Sequence, residues 1–197
     1  MAIKFKPTFL SLFPLLVMSL ILCQAASGGQ FVADMVDQSM RDTVTSKIYV
    51  KDSNYRIETE EEDKPIVILV DQKANLTRIC NMDEKSYIEM PSDDLKSLMN
   101  DPFQSLKSTL DTPGTESKTF EPEMINDVEC VKHVVFWGDS PFYTYYVSDK
   151  YDLPLKIIRG DSEKVVELRN IQDKEIDDAM FQIPEGFSIK KEAAEKK

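Results

Sequence analysis

The chain has 197 residues, with 24 Lys and Arg against 35 Asp and Glu, a formal net charge of −11 and one histidine. A surface this acidic repels phosphate backbones and excludes nucleic acid as a partner. One histidine and three cysteines do not make a clustered zinc site, and six glycines form no Gly-rich phosphate loop.

The start of the chain reads as an export signal. Lys4 and Lys6 are followed by an apolar run at residues 9–23, then by the small residues Ala25, Ala26 and Ser27. This order predicts a signal peptide over residues 1–26, cut after Ala25 or after Ser27. The run is shorter than the ~20 residues of a spanning helix, so a permanent anchor is the weaker reading. Cys23 follows Leu22, where lipid attachment requires a small residue, and is expected to leave with the signal. The mature protein is then exported, to a periplasm or an outer-membrane surface. Loss of Lys4 and Lys6 leaves 22 basic residues against 35 acidic ones, a net charge of −13. One domain over residues 27–190 is expected, followed by a charged tail at 191–197.

Strand signals then recur. Tyr55, Ile57 and Thr59 alternate with Arg56, Glu58 and Glu60, the period of a half-buried strand. Ile48 and Val50 precede them across the turn residues Asp52, Ser53 and Asn54. The acidic residues 60–63 read as a loop, and the apolar run 66–70 as a strand covered on both faces. Residues 76–82 and 87–90 form a further pair around Asp83, Glu84 and Lys85.

The period changes in the middle. Ser92, Asp93 and Asp94 offer a helix cap, and Leu95, Leu98 and Met99 fall at helical spacing. Asp101 and Pro102 predict a second helix start, with Phe103, Leu106 and Leu110 on one stripe, ending at Thr112, Pro113 and Gly114. Strands resume as a short segment at 118–121 and a long one at 128–137. After the turn at 138–141 come 142–147, then the pair 155–158 and 165–171 around Gly160 and Asp161. A last edge segment is expected at 181–183. The total is ten or eleven strands, with helix only at the start of the mature chain and near its middle. One twisted antiparallel sheet curled over helices, a mainly β (α+β) fold, accommodates this order.

Cys80 and Cys130 each fall in a predicted strand. An even count in an oxidising compartment favours one disulfide between them, the alternative being two buried thiols.

Groups for catalysis are scarce. His133 sits in a strand, where a structural role is the usual one. The carboxylates at 60–63 are adjacent and read as solvated, and no calcium-ligand spacing is present. Asn75-Leu76-Thr77 meets the glycosylation sequon, read as chance in a bacterial-type protein. No metal, no cofactor and no enzymatic activity are expected. The positive feature is aromatic: Phe136, Trp137, Phe142, Tyr143, Tyr145 and Tyr146 lie on two strands joined by a tight turn. Neighbouring rings must point to opposite faces. One reading makes them core and cross-strand pairs. The other makes one face a wall of an apolar cavity roofed by Leu98, Met99 and Phe103.

Several short motifs stand in order along the chain: Phe31-Val32-Ala33-Asp34-Met35, Lys47-Ile48-Tyr49-Val50-Lys51 and Tyr55-Arg56-Ile57-Glu58 near the start, then Ile125-Asn126-Asp127-Val128-Glu129-Cys130. Tyr145-Tyr146-Val147-Ser148, Asp152-Leu153-Pro154-Leu155-Lys156 and Phe181-Gln182-Ile183-Pro184-Glu185-Gly186-Phe187 follow. In this order they resemble the opening, middle and closing motifs of a LolA-like family of exported bacterial proteins, within the outer-membrane lipoprotein-carrier superfamily. In that family glycine is usual at the Asp127 position and tryptophan at the Tyr146 position. The pattern is nearest an uncharacterised exported branch. The resemblance implies a half-open antiparallel β-barrel with a helical lid over an apolar cavity. The expected role is binding a lipid, a lipoprotein acyl chain or another apolar ligand as a monomer. The alternative is an envelope sensor that recognises a protein partner.

Overall fold

The computed structural model describes residues 29–190, apart from residues 41, 161 and 163. The signal segment read over 1–26 and the tail read over 191–197 lie outside the described residues.

The strands are β1 (Phe31–Gln38), β2 (Thr43–Lys51), β3 (Asn54–Glu61), β4 (Lys64–Asp71), β5 (Leu76–Asn81) and β6 (Ser86–Pro91). Helices α1 (Leu95–Asn100) and α2 (Pro102–Leu110) follow. Then come β7 (Thr115–Ile125), β8 (Val128–Trp137), β9 (Ser140–Val147), β10 (Lys156–Arg159), β11 (Lys164–Asp173) and β12 (Ser188–Ile189). They form one open sheet in the order β12-β6-β5-β4-β3-β2-β1-β11-β10-β9-β8-β7. Every pairing is antiparallel except that of β12 with β6. The fold is mostly β, an open half-barrel over a helical lid.

Local chemistry explains the hairpins. Glu62 and Asp63 have φ of 51° and 61°, and Asn126 and Asp127 have 49° and 62°, the left-handed pairs that two-residue hairpins need. Asp127, where the resembling family usually has glycine, is tolerated because a short Asx side chain enters this region at low cost. Pro122 lies in β7 at a register shift between Phe120 and Glu123. Its missing N–H is harmless there, because among the described residues β7 is an edge strand that pairs only with β8.

The inner face carries alternate residues of the central strands. Phe31, Ala33 and Met35 of β1 join Ile48 and Val50 of β2, Tyr55 and Ile57 of β3, and Ile66, Ile68 and Val70 of β4. Ile157 of β10, Val166 and Leu168 of β11, and Phe103 and Leu106 of α2 belong to the same core, which continues through Val135, Tyr143, Tyr146 and Leu155. The Tyr55 and Phe103 rings meet edge to face at 5.8 Å. On the outer face a smaller cluster of Val67, Leu69 and Cys80 packs against Met82, Tyr87, Ile183 and Phe187. The continuous apolar run 66–70 is thus covered on both sides. Its outer cover includes the chain end, which crosses the sheet before Ser188 and Ile189 pair with β6.

Five expectations are corrected. The helix expected at the start of the mature chain is not found among the described residues: residues 31–38 form the central strand β1, held by a full ladder to β2 and most of one to β11. There are twelve strands among the described residues, rather than ten or eleven. The short segment at 118–121 belongs to the eleven-residue β7, which is exposed on both faces except at its ends and so shows no buried alternation. Residues 181–183 are not a strand, because Asp177 caps a 3-10 turn over Asp178–Phe181 and the edge strand comes later. Cys80 and Cys130 are buried free thiols. They pack in different clusters, with seven strands between β5 and β8 in the sheet order.

Candidate functional site

The lid is two short helices meeting at Asp101. The Asp101 carboxylate accepts from the Phe103 and Gln104 amides at 2.9 and 3.2 Å, capping α2. Its other oxygen accepts from the Tyr55 hydroxyl at 2.5 Å, and Gln104 Nε2 donates to that hydroxyl at 2.9 Å. All three side chains are buried. Burial pushes the Asp101 carboxyl up to about 6 against the pull of these hydrogen bonds. Burial, then the neighbouring Asp101 charge, holds the Tyr55 phenol well above its ordinary range.

Helix α1 is attached differently. Its one buried residue is Ser97, whose hydroxyl donates to Thr77 Oγ1 at 2.9 Å. Thr77 and Ser92 also share a hydroxyl bond of 2.9 Å. Hydroxyls thus hold α1 to the sheet, and its apolar residues are left out of the core. Leu95 and Met99 are 72% and 75% exposed, although they are large apolar residues of a six-residue helix.

These residues roof a cavity of about 530 Å³. Its floor is Met35, Ile57, Ile66, Ile68, Ile157 and Val166, from five strands of the inner face. Leu95, Leu98 and Met99 lie above, and Pro102, Ser105 and Tyr143 close one side, the last two joined by a 3.1 Å hydroxyl bond. Farther along the trough Phe103 and Leu106 belong to the packed core, so α2 plugs one end while α1 only covers the other. The volume lies within the ~300–1,000 Å³ of small-molecule sites.

Polar groups collect where the lining strands end. Asp37, Glu60 and Glu61 come from β1 and β3, and Arg159 and Lys164 from β10 and β11. Lys164 Nζ lies 2.8 Å from Asp37. The Arg159 guanidinium lies 5.6 Å from the Phe142 ring centre and 6.0 Å from that of Tyr143. The Gly160 amide ties this turn to the Phe142 carbonyl at 2.9 Å, and a Cβ on Gly160 would come within 2.9 Å of the Pro141 carbonyl oxygen.

Of the residues singled out by sequence, Leu98, Met99 and Tyr143 line the cavity. Phe103 lies in the core against Tyr55. Phe136 sits under Lys118, with the ammonium 4.8 Å from its ring, and Trp137 is 56% exposed. Phe142 packs between Trp137 and Tyr143 and carries Arg159. Tyr145 stacks on His133 at 4.9 Å, and Tyr146 is buried with Lys132 over its ring. The aromatic hairpin therefore gives the cavity one ring, while most of the wall is aliphatic and comes from β1, β3, β4, β10 and β11. The alternation of β3 could have indicated Ile57. Which strands face the lid depends on a long-range order that no local pattern carries.

No family model matches the chain, and no curated protein matches it. Solved structures do. An uncharacterized conserved protein from Thermus thermophilus aligns with a TM-score of 0.55 at 7% identity, covering 82% of this chain and 90% of that one. MucB, in a MucA/MucB complex from Pseudomonas aeruginosa, gives 0.48 at 12% identity over 78% of this chain and 55% of that one. A protein described as an outer membrane lipoprotein-sorting domain, from Vibrio parahaemolyticus, gives 0.39 at 9% identity over 78% and 89%. At these identities the first likeness establishes the fold alone, and the other two are too distant to bear on function.

Proposed function

We propose that the protein is an exported binding protein that holds a lipid acyl chain or a similar apolar ligand in the cavity beneath α1. One observation carries this reading. Helix α1 docks through Ser97 and leaves Leu95, Leu98 and Met99 over an aliphatic trough, where a folded core would have used them. A ligand chain covering this lining would remove apolar surface from water, at ~25 cal/mol per Å². Leu98 and Met99, on a short helix held mainly by hydroxyls, can adjust to chains of different shape. The secretory pattern at the chain start and the LolA-like motifs support an envelope location.

The test is native mass spectrometry of gently purified protein, with organic extraction of whatever accompanies it. The expected result is one apolar molecule per chain. Protein that carries no apolar ligand and takes up none from a mixed-lipid extract overturns the reading.

A second reading, recognition of a protein partner, draws on β7. This edge strand pairs on one side only, and Phe120, Met124 and Trp137 are exposed along the β7–β8 hairpin. An extended peptide could add to such an edge. A partner whose capture is lost when Phe120 and Met124 are replaced, but not when Leu98 is, would favour this reading.

A further inference from the structure

The register of the lining strands fixes how a chain lies in the cavity, taking the cavity as the binding site proposed above. We infer that the ligand is a lipid with one linear hydrocarbon chain, held in single file across the strands beneath α1.

The direction follows from which residues line the trough. Strands β4, β3, β2, β1, β11, β10 and β9 are consecutive neighbours in the sheet, and each supplies lining. Ile66 of β4 stands opposite Thr59 of β3, Ser46 of β2 opposite Met35 of β1, and Ile157 of β10 opposite Val166 of β11. The Ser46 hydroxyl donates to Thr59 Oγ1 at 2.8 Å, which joins the first two pairs into one row. Val166 is opposite Asp37, two positions along β1 from Met35, so the row steps once between β1 and β11 and continues to Tyr143 of β9. Partners in register lie across the strands. Six strand spacings of ~4.8 Å make about 29 Å along the sheet, and less on its concave side. Along the strands the lining is narrow: β1, β2, β4, β10 and β11 each give two residues, two positions apart, a span of about 7 Å. The trough is therefore long across the sheet and short along it.

The number of chains follows from the cross-section. A cavity of about 530 Å³ drawn out over this length is about 20 Å² in section. Packed apolar atoms approach to ~4.0–4.5 Å, so one hydrocarbon chain fills that section and a second has no room beside it. Phe103 and Leu106 are packed into the core at the α2 end and open no side channel. A methylene takes about the room of a water molecule in its liquid, ~30 Å³, which limits the buried chain to roughly 18 carbons. A lipid with two chains leaves the second one in water.

Three measurements on delipidated protein, with fatty acids below their aggregation concentrations, test this, and none needs an altered chain to fold. Equilibrium dialysis over saturated acids of 10–22 carbons should show affinity rising about four-fold per carbon and levelling off near 18. The two-chain acid 2-tetradecylhexadecanoate should bind within ten-fold of hexadecanoate, because its second chain is in water both free and bound. Hexadecanoate carrying a photoreactive diazirine near its carboxylate, or near its methyl end, should label opposite ends of the row, one around Ile66 and the other around Tyr143. An affinity still climbing from 18 to 22 carbons, a two-chain acid bound more than ten-fold more tightly, or both diazirines on the same strand overturns the single-file chain and leaves the cavity reading standing. Binding of no acid, or labels only outside the cavity, overturns both.

Discussion

Asp101 ends α1, caps α2 and lies wholly inside the protein, with Tyr55 and Gln104 as its side-chain neighbours. Its folded-state value of about 6 stands above the ordinary 3.8. Between these values the folded protein holds a proton that the unfolded chain has released, so stability falls as pH rises through this window and levels off above it. A displacement of this size, at ~1.36 kcal/mol per pKa unit, amounts to about 3 kcal/mol. Urea unfolding of the unaltered protein, taken relative to Asp101→Asn, should therefore show a loss of about 2 kcal/mol between pH 4 and pH 6.5, the rest of the change lying outside that range. A flat or rising difference contradicts the buried carboxylate. Tyr55→Phe removes the hydroxyl that donates to this carboxylate and should cost about 2 kcal/mol at pH 7, read from the same curves. The sequence marks Asp101 and Pro102 as a helix start, because capping is local. The burial of Asp101 and its bond to Tyr55 are not legible there, since that partner lies on a strand 46 residues earlier. The cysteines teach the same limit: parity and compartment argue for a bond, and position in the sheet prevents it. Burial raises both the Cys80 and Cys130 thiols, which makes them unreactive while folded. Titration of unreduced mature protein should find two free thiols in denaturant and almost none without it.

At the scale of elements, α1 is the weakly held piece. Six residues are too few to form a helix unaided, and its buried side chain is a serine rather than an apolar one. Its amides should exchange with solvent orders of magnitude faster than those of β1 and β2, and should slow when an acyl ligand is bound. Hydrogen exchange followed by mass spectrometry reads both effects. Equal protection in α1 and the central strands would contradict a lid that opens on its own. Thr77→Val removes the acceptor of Ser97 and should cost about 1–3 kcal/mol, further loosening α1. Most hairpins are legible because turn residues and alternation are local signals, as at Asn126-Asp127 and in β3. Strand β1 is easily misread because Val32, Met35 and Val36 fit a helical stripe as well as a ladder. Pairing with β2 and β11, the latter more than a hundred residues away, decides between them. Strand β7 reads too short because an edge exposed on both faces shows no hydrophobic period.

Over the whole molecule, one sheet serves two surfaces. Its outer face carries the patch of Val67, Leu69 and Cys80, covered by Ile183 and Phe187. Its inner face is closed by α2 at one end and left as a roofed cavity at the other. The closing motif near residue 187 thus acts as a clamp on the side away from the cavity. The general form of sheet and lid is readable from element order, whereas the cavity wall is not, since it draws on seven strands whose adjacency is set by topology. The most direct measurement of the central claim is a titration with a polarity-sensitive fluorescent acyl probe, comparing the unaltered protein with Leu98→Trp, which fills the cavity from its roof. Saturation at one probe per chain, with bright emission that is largely lost in Leu98→Trp while β content by circular dichroism is unchanged, is the predicted result. Unsaturable binding, or equal binding by both proteins, would contradict a ligand site beneath α1.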